Sequence, residues 1–256
     1  MKHTIFIITT FWALAVSCSV KENRGDCRGT YILNLSKVSV SDTLYINFLS
    51  SSGDAQTFAF APGKLTEEIK VTLPQGETSV TAYCGDEGKC SFESYTIARG
   101  SDYPPLYASR KVVNIIAGEI RDTLSLYKKY SKVSVMLTYD DPINPYKLRI
   151  LGCNDGYNSR LEPHEGQFQV EMDSDSGAQR MFNLPQQTDG SLLLELSDPT
   201  SGLFRRFAIG QMILESGFDW STPNLEDVIL TLSYSTTELR LSISGWKDEY
   251  VFDINI

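Results

Sequence analysis

The chain has 256 residues, with 23 Lys or Arg against 32 Asp or Glu, a formal net charge of −9. An acidic chain without a basic cluster repels phosphate backbones, which argues against nucleic acid as a partner. At 41% hydrophobic and 21% charged residues it has the composition of a globular protein, long enough to bury one large core or two ordinary ones.

A basic start at Lys2 is followed by Ile5 to Val16, apolar apart from Thr9 and Thr10, and then by Ser17 and Cys18. The run is too short to span a bilayer and ends on small residues, so residues 1–17 read as a signal peptide. Leu14-Ala15-Val16-Ser17-Cys18 resembles the bacterial lipobox, in which the cysteine is acylated and becomes the new N-terminus. Ala15 stands where Leu is more usual, and a plain secretory signal with a chance cysteine is the rival reading. Cleavage would leave 239 residues, 22 of them basic and 32 acidic, for a formal charge of −10, with residues 18–29 as a lipidated leader. No later stretch has the ~18 apolar residues of a spanning helix.

From Thr30 onward, period-2 alternation dominates and helical periodicity is nearly absent, which predicts an all-β protein. One strand face is formed by Tyr31, Leu33 and Leu35; others by Leu44, Ile46 and Phe48, by Ile69, Val71 and Leu73, and by Val80, Ala82 and Cys84. Ile120, Leu124 and Leu126 follow, then Val133, Val135, Leu137 and Tyr139. Turns at Ser51 to Asp54, Pro62-Gly63, Pro74 to Gly76 and Ala117-Gly118 separate them. Short, half-apolar strands at this spacing fit antiparallel β-sandwiches. Tyr127 to Lys132 holds neither Gly nor Pro, so a first sandwich over 30–129 is expected to run through a stiff junction into a second over 130–256.

In the second half, strands are predicted at Leu148 to Ile150, Phe168 to Val170, Leu192 to Leu194, Val228 to Tyr234 and Leu239 to Ile243. Phe207 to Ser216 departs from the pattern: Ile209, Met212 and Ile213 are three and four apart, giving one short helix stopped by Gly217. The chain closes on Tyr250, Phe252, Ile254 and Ile256, alternating without a break to the last residue. A regular strand at a terminus is held by something: its own sheet, or a strand exchanged with a partner.

With Cys18 lipidated, Cys27, Cys84, Cys90 and Cys153 remain for three possible pairings. Cys84 and Cys90 flank an acid-rich loop with two glycines, so a local disulfide is expected there, against free thiols or a metal clip. His164, the one histidine outside the signal, lies between Pro163 and Glu165 and reads as a solvated loop residue rather than a base. No nucleophile elbow, zinc pair or phosphate loop accompanies it, so a non-enzymatic role with no cofactor is expected. The pairs Asp140-Asp141 and Asp173/Asp175 are common in acidic sandwiches, and the run Asp173 to Gly177 fails the calcium-loop spacing. Trp220 and Trp246 are either core residues or an exposed pair able to stack on sugar rings.

The arrangement resembles the fimbrillin-associated anchor proteins, minor lipoproteins at the base of the fimbriae of Bacteroides-type bacteria. The likeness rests on the leader Cys18 to Cys27, on Pro105-Leu106-Tyr107 and the junction Leu126 to Val135, and on Ile209 to Leu214 leading through Leu225 to Leu230 to Ser244-Gly245-Trp246. It covers nearly the whole chain, which is rather short for the family. The resemblance implies two consecutive transthyretin-like sandwiches and an outer-membrane, surface-exposed lipoprotein with fimbrial subunits as partners. It also implies a role in attaching a fimbrial shaft and limiting its length. Capture of glycan beside an outer-membrane transporter is the competing expectation.

Overall fold

The structure, a computed structural model, describes residues 27–85, 91–139, 146–172, 179–198, 202–234, 238–244 and 250–255. Among the described residues it is all-β with one short helix, as the alternation predicts. Strands β1 (Arg28–Asn34), β4 (Glu68–Pro74) and β7 (Glu119–Thr123) form a sheet in the order β4-β1-β7. Facing it are β2 (Leu44–Ser50), β3 (Ala55–Phe60), β5 (Gly76–Cys84), β6 (Tyr107–Ile115) and β8 (Tyr127–Lys128), in the order β3-β2-β5-β6-β8. Alternate residues of the two sheets meet in one core, with Tyr31, Leu33 and Val71 packed among Ile46, Phe48 and Val80. Successive strand residues point to opposite faces, so this pattern leaves Lys70 and Thr72 outward.

The second half repeats the layering. One sheet runs β12-β9-β15-β16-β17, from β9 (Tyr130–Tyr139), β12 (Gln179–Pro185), β15 (Val228–Tyr234), β16 (Glu238–Ser244) and β17 (Tyr250–Asn255). The other runs β11-β10-β13-β14, from β10 (Lys147–Tyr157), β11 (Pro163–Met172), β13 (Leu193–Asp198) and β14 (Leu203–Phe207). Pairing is antiparallel apart from one parallel pair in each half, β1 with β7 and β9 with β15. The predicted helix is α1 (Ile209–Glu215), which buries Ile209 and Ile213. Gly210 lets it dock: a Cβ there would stand 2.6 Å from the Gly190 carbonyl oxygen. Gly217 stops it in a left-handed conformation, φ 87°, donating its N–H to the Leu214 carbonyl.

The junction is strand to strand, with only Lys129 between β8 and β9. Loop residues 224–227 pin it: Asn224 Oδ1 accepts from Lys128 N at 2.9 Å, and Asp227 pairs with the Lys128 ammonium and accepts from Lys132 N. A second link comes from residues 91–106, which leave the first sandwich and lie along β10 and β11. Tyr95 N donates to Tyr157 O at 3.0 Å and Gly100 N to Gln169 O at 2.8 Å. Tyr95, Tyr103 and Leu106 are buried in the second core. Gly156 (φ 151°) permits the approach, since a Cβ there would sit 2.2 Å from the Tyr95 carbonyl oxygen. Among the described residues, no helix is long and apolar enough to cross a membrane.

Candidate assembly surface

The described chain begins at Cys27, which is exposed at the mouth of the three-stranded sheet, its carbonyl accepting from Gln75 N at 3.0 Å. Cys18 lies outside the described residues, as do Cys90, Trp246, Ile256, Asp140-Asp141 and the run 173–177. Cys84 ends β5, buried, with its sulfur 3.6 Å from the Asp42 carbonyl. In its reduced form, burial pushes its thiol pKa up.

The C-terminal strand is paired within its own sheet. β17 runs antiparallel to β16 with Tyr250 opposite Ile243, Phe252 opposite Leu241 and Ile254 opposite Leu239. It is an edge strand, and among the described residues no strand pairs with its other side. Such an edge presents unpaired backbone donors and acceptors to an incoming chain.

Two sequence readings of side chains change or resolve. His164 lies on β11, not in a loop, and its Nδ1 is 2.7 Å from Asp155 Oδ1 on β10; it is half exposed. Strand pairing of Gly156 with His164 brings the two side chains together across the ladder. Trp220 is buried against Phe218, ring centroids 4.6 Å apart, so it belongs to the core and presents no face to a sugar.

Sequence reading missed a groove on the side of the first sandwich where β7 and β6 face one another. A cavity of about 310 Å³ lies there, and another of about 510 Å³ lies by the start of β6 and the end of β5. The 510 Å³ cavity is lined by Lys37 to Ser41 and by Cys84, Tyr107 and Leu126. The 310 Å³ cavity is lined by Leu33, Leu124 and Tyr127 and by the ion pair of Lys111 with Asp122. Tyr31 hydroxyl donates to Asp122 Oδ2 at 2.8 Å. Burial works to raise the Asp122 carboxyl, but hydrogen bonds from Lys111, Tyr31 and the Thr123 N–H outweigh it and hold the pKa below the usual aspartate value. Burial, reinforced by that carboxylate, pushes the Tyr31 phenol up. β8 covers Tyr107 and Ala108, and among the described residues no strand pairs with the rest of that side of β6, where Val112 and, just past the strand, Ile116 are more than half exposed. The only signal for this groove in the sequence is the apolar spacing of residues 38–40 and 124–126, which reads equally as core.

No protein-family model matches the sequence, and no curated protein matches it. Solved structures do match in fold. The fimbrial anchor protein Mfa2 of Porphyromonas gingivalis superposes with a TM-score of 0.62 at 13% identity, over 86% of this chain and 98% of that one. This chain shares its fold. A protein of Bacteroides thetaiotaomicron provisionally assigned to polysaccharide binding gives 0.62 at 14% identity, over 90% and 99% of the two chains. A provisionally assigned adhesin of Bacteroides ovatus gives 0.60 at 11%, over 88% and 95%.

Proposed function

We propose that this chain is an outer-membrane surface lipoprotein, held by lipid on Cys18, that anchors a fimbrial shaft and limits its length. The observation that carries the reading is its likeness to the Mfa2 anchor across nearly the whole of both chains. The lipobox-like Leu14 to Cys18 supplies a tether, and the exposed Cys27 is a point from which a leader can reach a membrane. Fimbrial subunits are the partners, met at the C-terminal strand β17. The division into a leader (18–29), a first sandwich (30–129) and a second (130–256) belongs to the same proposal.

Deleting the gene is the deciding experiment: fimbriae are expected to detach into the medium or to grow to unregulated length. Cells that keep attached fimbriae of normal length would rule the anchor role out. The likeness to the protein assigned to polysaccharide binding favours glycan capture as the second reading. The burial of Trp220 removes one of its two candidate stacking residues. Direct titration of the purified protein with the host's surface glycans distinguishes the two.

A further inference from the structure

We propose that the parallel pairing of β1 with β7 is a mechanical clamp, built so that tension on the leader loads the first sandwich in shear. The proposal takes its source of load from the anchor reading, but its geometry is independent of it. The chain enters β1 directly from Cys27 and runs to Asn34. β7 lies beside it in the same direction, with Thr30 opposite Glu119 and Asn34 opposite Thr123. The chain then leaves β7 at the Asn34 end and passes through β8 into the second sandwich. A pull between the leader and the second sandwich therefore draws β1 one way along the strand axis and β7 the other.

The bonds between them are then strained together, whereas strands pulled apart from one end lose theirs one at a time. Forced unfolding is governed by the unfolding rate, so a ladder that must fail all at once raises the rupture force. Backbone bonds bracket this ladder at both ends: Thr30 N to Gly118 O at 2.8 Å, and Leu124 N to Asn34 O at 2.9 Å. On its other side β1 is paired with β4 over seven residues, so it cannot slide without breaking that ladder too. Sliding would also drag Tyr31, Leu33 and Leu35 through the core and part Tyr31 from Asp122. At the entrance the packing is tight, a Cβ on Gly29 standing 2.2 Å from the Ile116 carbonyl oxygen.

The β1–β4 pair supplies the control. Arg28 lies opposite Pro74, at the same end of the sheet, so pulling the leader against position 75 peels that ladder from one end. The test uses the full chain from residue 18, with Cys18→Ser to keep it soluble, an N-terminal handle, and an azide-bearing residue replacing either Ser125 or Gln75. In single-molecule pulling at one loading rate, the 125 attachment should rupture at several-fold higher force than the 75 attachment, with equal melting temperatures for both. Equal forces, or a weaker 125 attachment, would overturn the clamp. Neither result bears on whether the protein anchors fimbriae, which the gene deletion decides.

Discussion

Gln187 is fully buried and uses its carboxamide where a strand would use its backbone. The β10–β11 ladder slips register between Gly152 and Asn154, leaving donors without partners in the ladder. Gln187 Oε1 accepts from Cys153 N at 3.0 Å and Asn154 N at 3.3 Å, while its Nε2 donates to Pro185 O at 2.9 Å and Asn154 O at 3.3 Å. A Cβ at Gly152 would lie 2.5 Å from that oxygen, so the close approach requires glycine. Leaving a buried polar group unsatisfied costs about 1–3 kcal/mol. Gln187→Ala is therefore expected to lower unfolding stability by about 3 kcal/mol, read from the urea midpoint, and Gln187→Glu to do no better, since it loses the two donors and buries a charge. Glu195 makes a second case, its carboxylate 2% exposed beneath Arg149 and Arg206. Burial raises its pKa, but hydrogen bonds and charge from Arg206 and Arg149 outweigh that and leave it below the ordinary glutamate value. A depressed folded pKa gives stability that is fully present above the unfolded value of ~4.3 and is lost as pH falls through the folded one. Melting temperature should thus fall on acidification below about pH 4, and Glu195→Gln, less stable at neutral pH, should flatten that part of the acid limb. An unchanged pH profile in the variant would count against the ion triad.

At the scale of elements, strands with one clean apolar face were legible and strands that break alternation were not. β1, β2, β4, β5 and β15 follow directly from residues such as Leu44, Ile46 and Phe48, all fully buried. β12 hides because its second residue, Arg180, occupies a buried position and donates from its guanidinium to the Met172 and Tyr146 carbonyls. β3 hides because its inner face, Gln56, Phe58 and Phe60, is only half buried and begins with a polar residue, and β6 because its apolar residues do not follow its burial, Val112 being exposed. The groove between β6 and β7 was illegible for a related reason, as it depends on which strands end each sheet, a long-range fact. The C-terminal strand was legible as a strand, and its register against β16 now says what its removal should do. Deleting residues 250–256 leaves β16 as a bare edge and is expected to lower the melting temperature. Unchanged melting would mean that this sheet does not hold the strand. The Cys84 and Cys90 bridge, if formed, closes a loop short enough to contribute roughly 2 kcal/mol. Alkylation with mass spectrometry on protein from its own envelope should find neither cysteine labelled until reduction, and labelling of both beforehand would refute the pairing.

At the scale of the whole molecule, the two layered halves meet at the Lys128–Asp227 clasp and along the 91–106 strap. The proposed lipoprotein role asks how such a body would be held on a membrane. With signal removed, the chain carries 22 basic and 32 acidic residues, a formal −10, and is repelled by anionic lipid surfaces. Among the described residues, no helix offers a membrane span. On the proposed reading, attachment rests on acyl chains on Cys18, where each buried methylene contributes about 0.8 kcal/mol. One chain gives only marginal, reversible binding, and two or more hold stably. Cys18→Ala should therefore move the protein from the membrane pellet to the soluble fraction without altering its melting, because residue 18 precedes the first strand by ten positions. Fractionation after a high-salt wash checks this, since salt removes charge-mediated adhesion and leaves acyl insertion intact. A Cys18→Ala protein that still pellets after the wash would show that something other than lipid holds it, and the lipoprotein reading would fall with it.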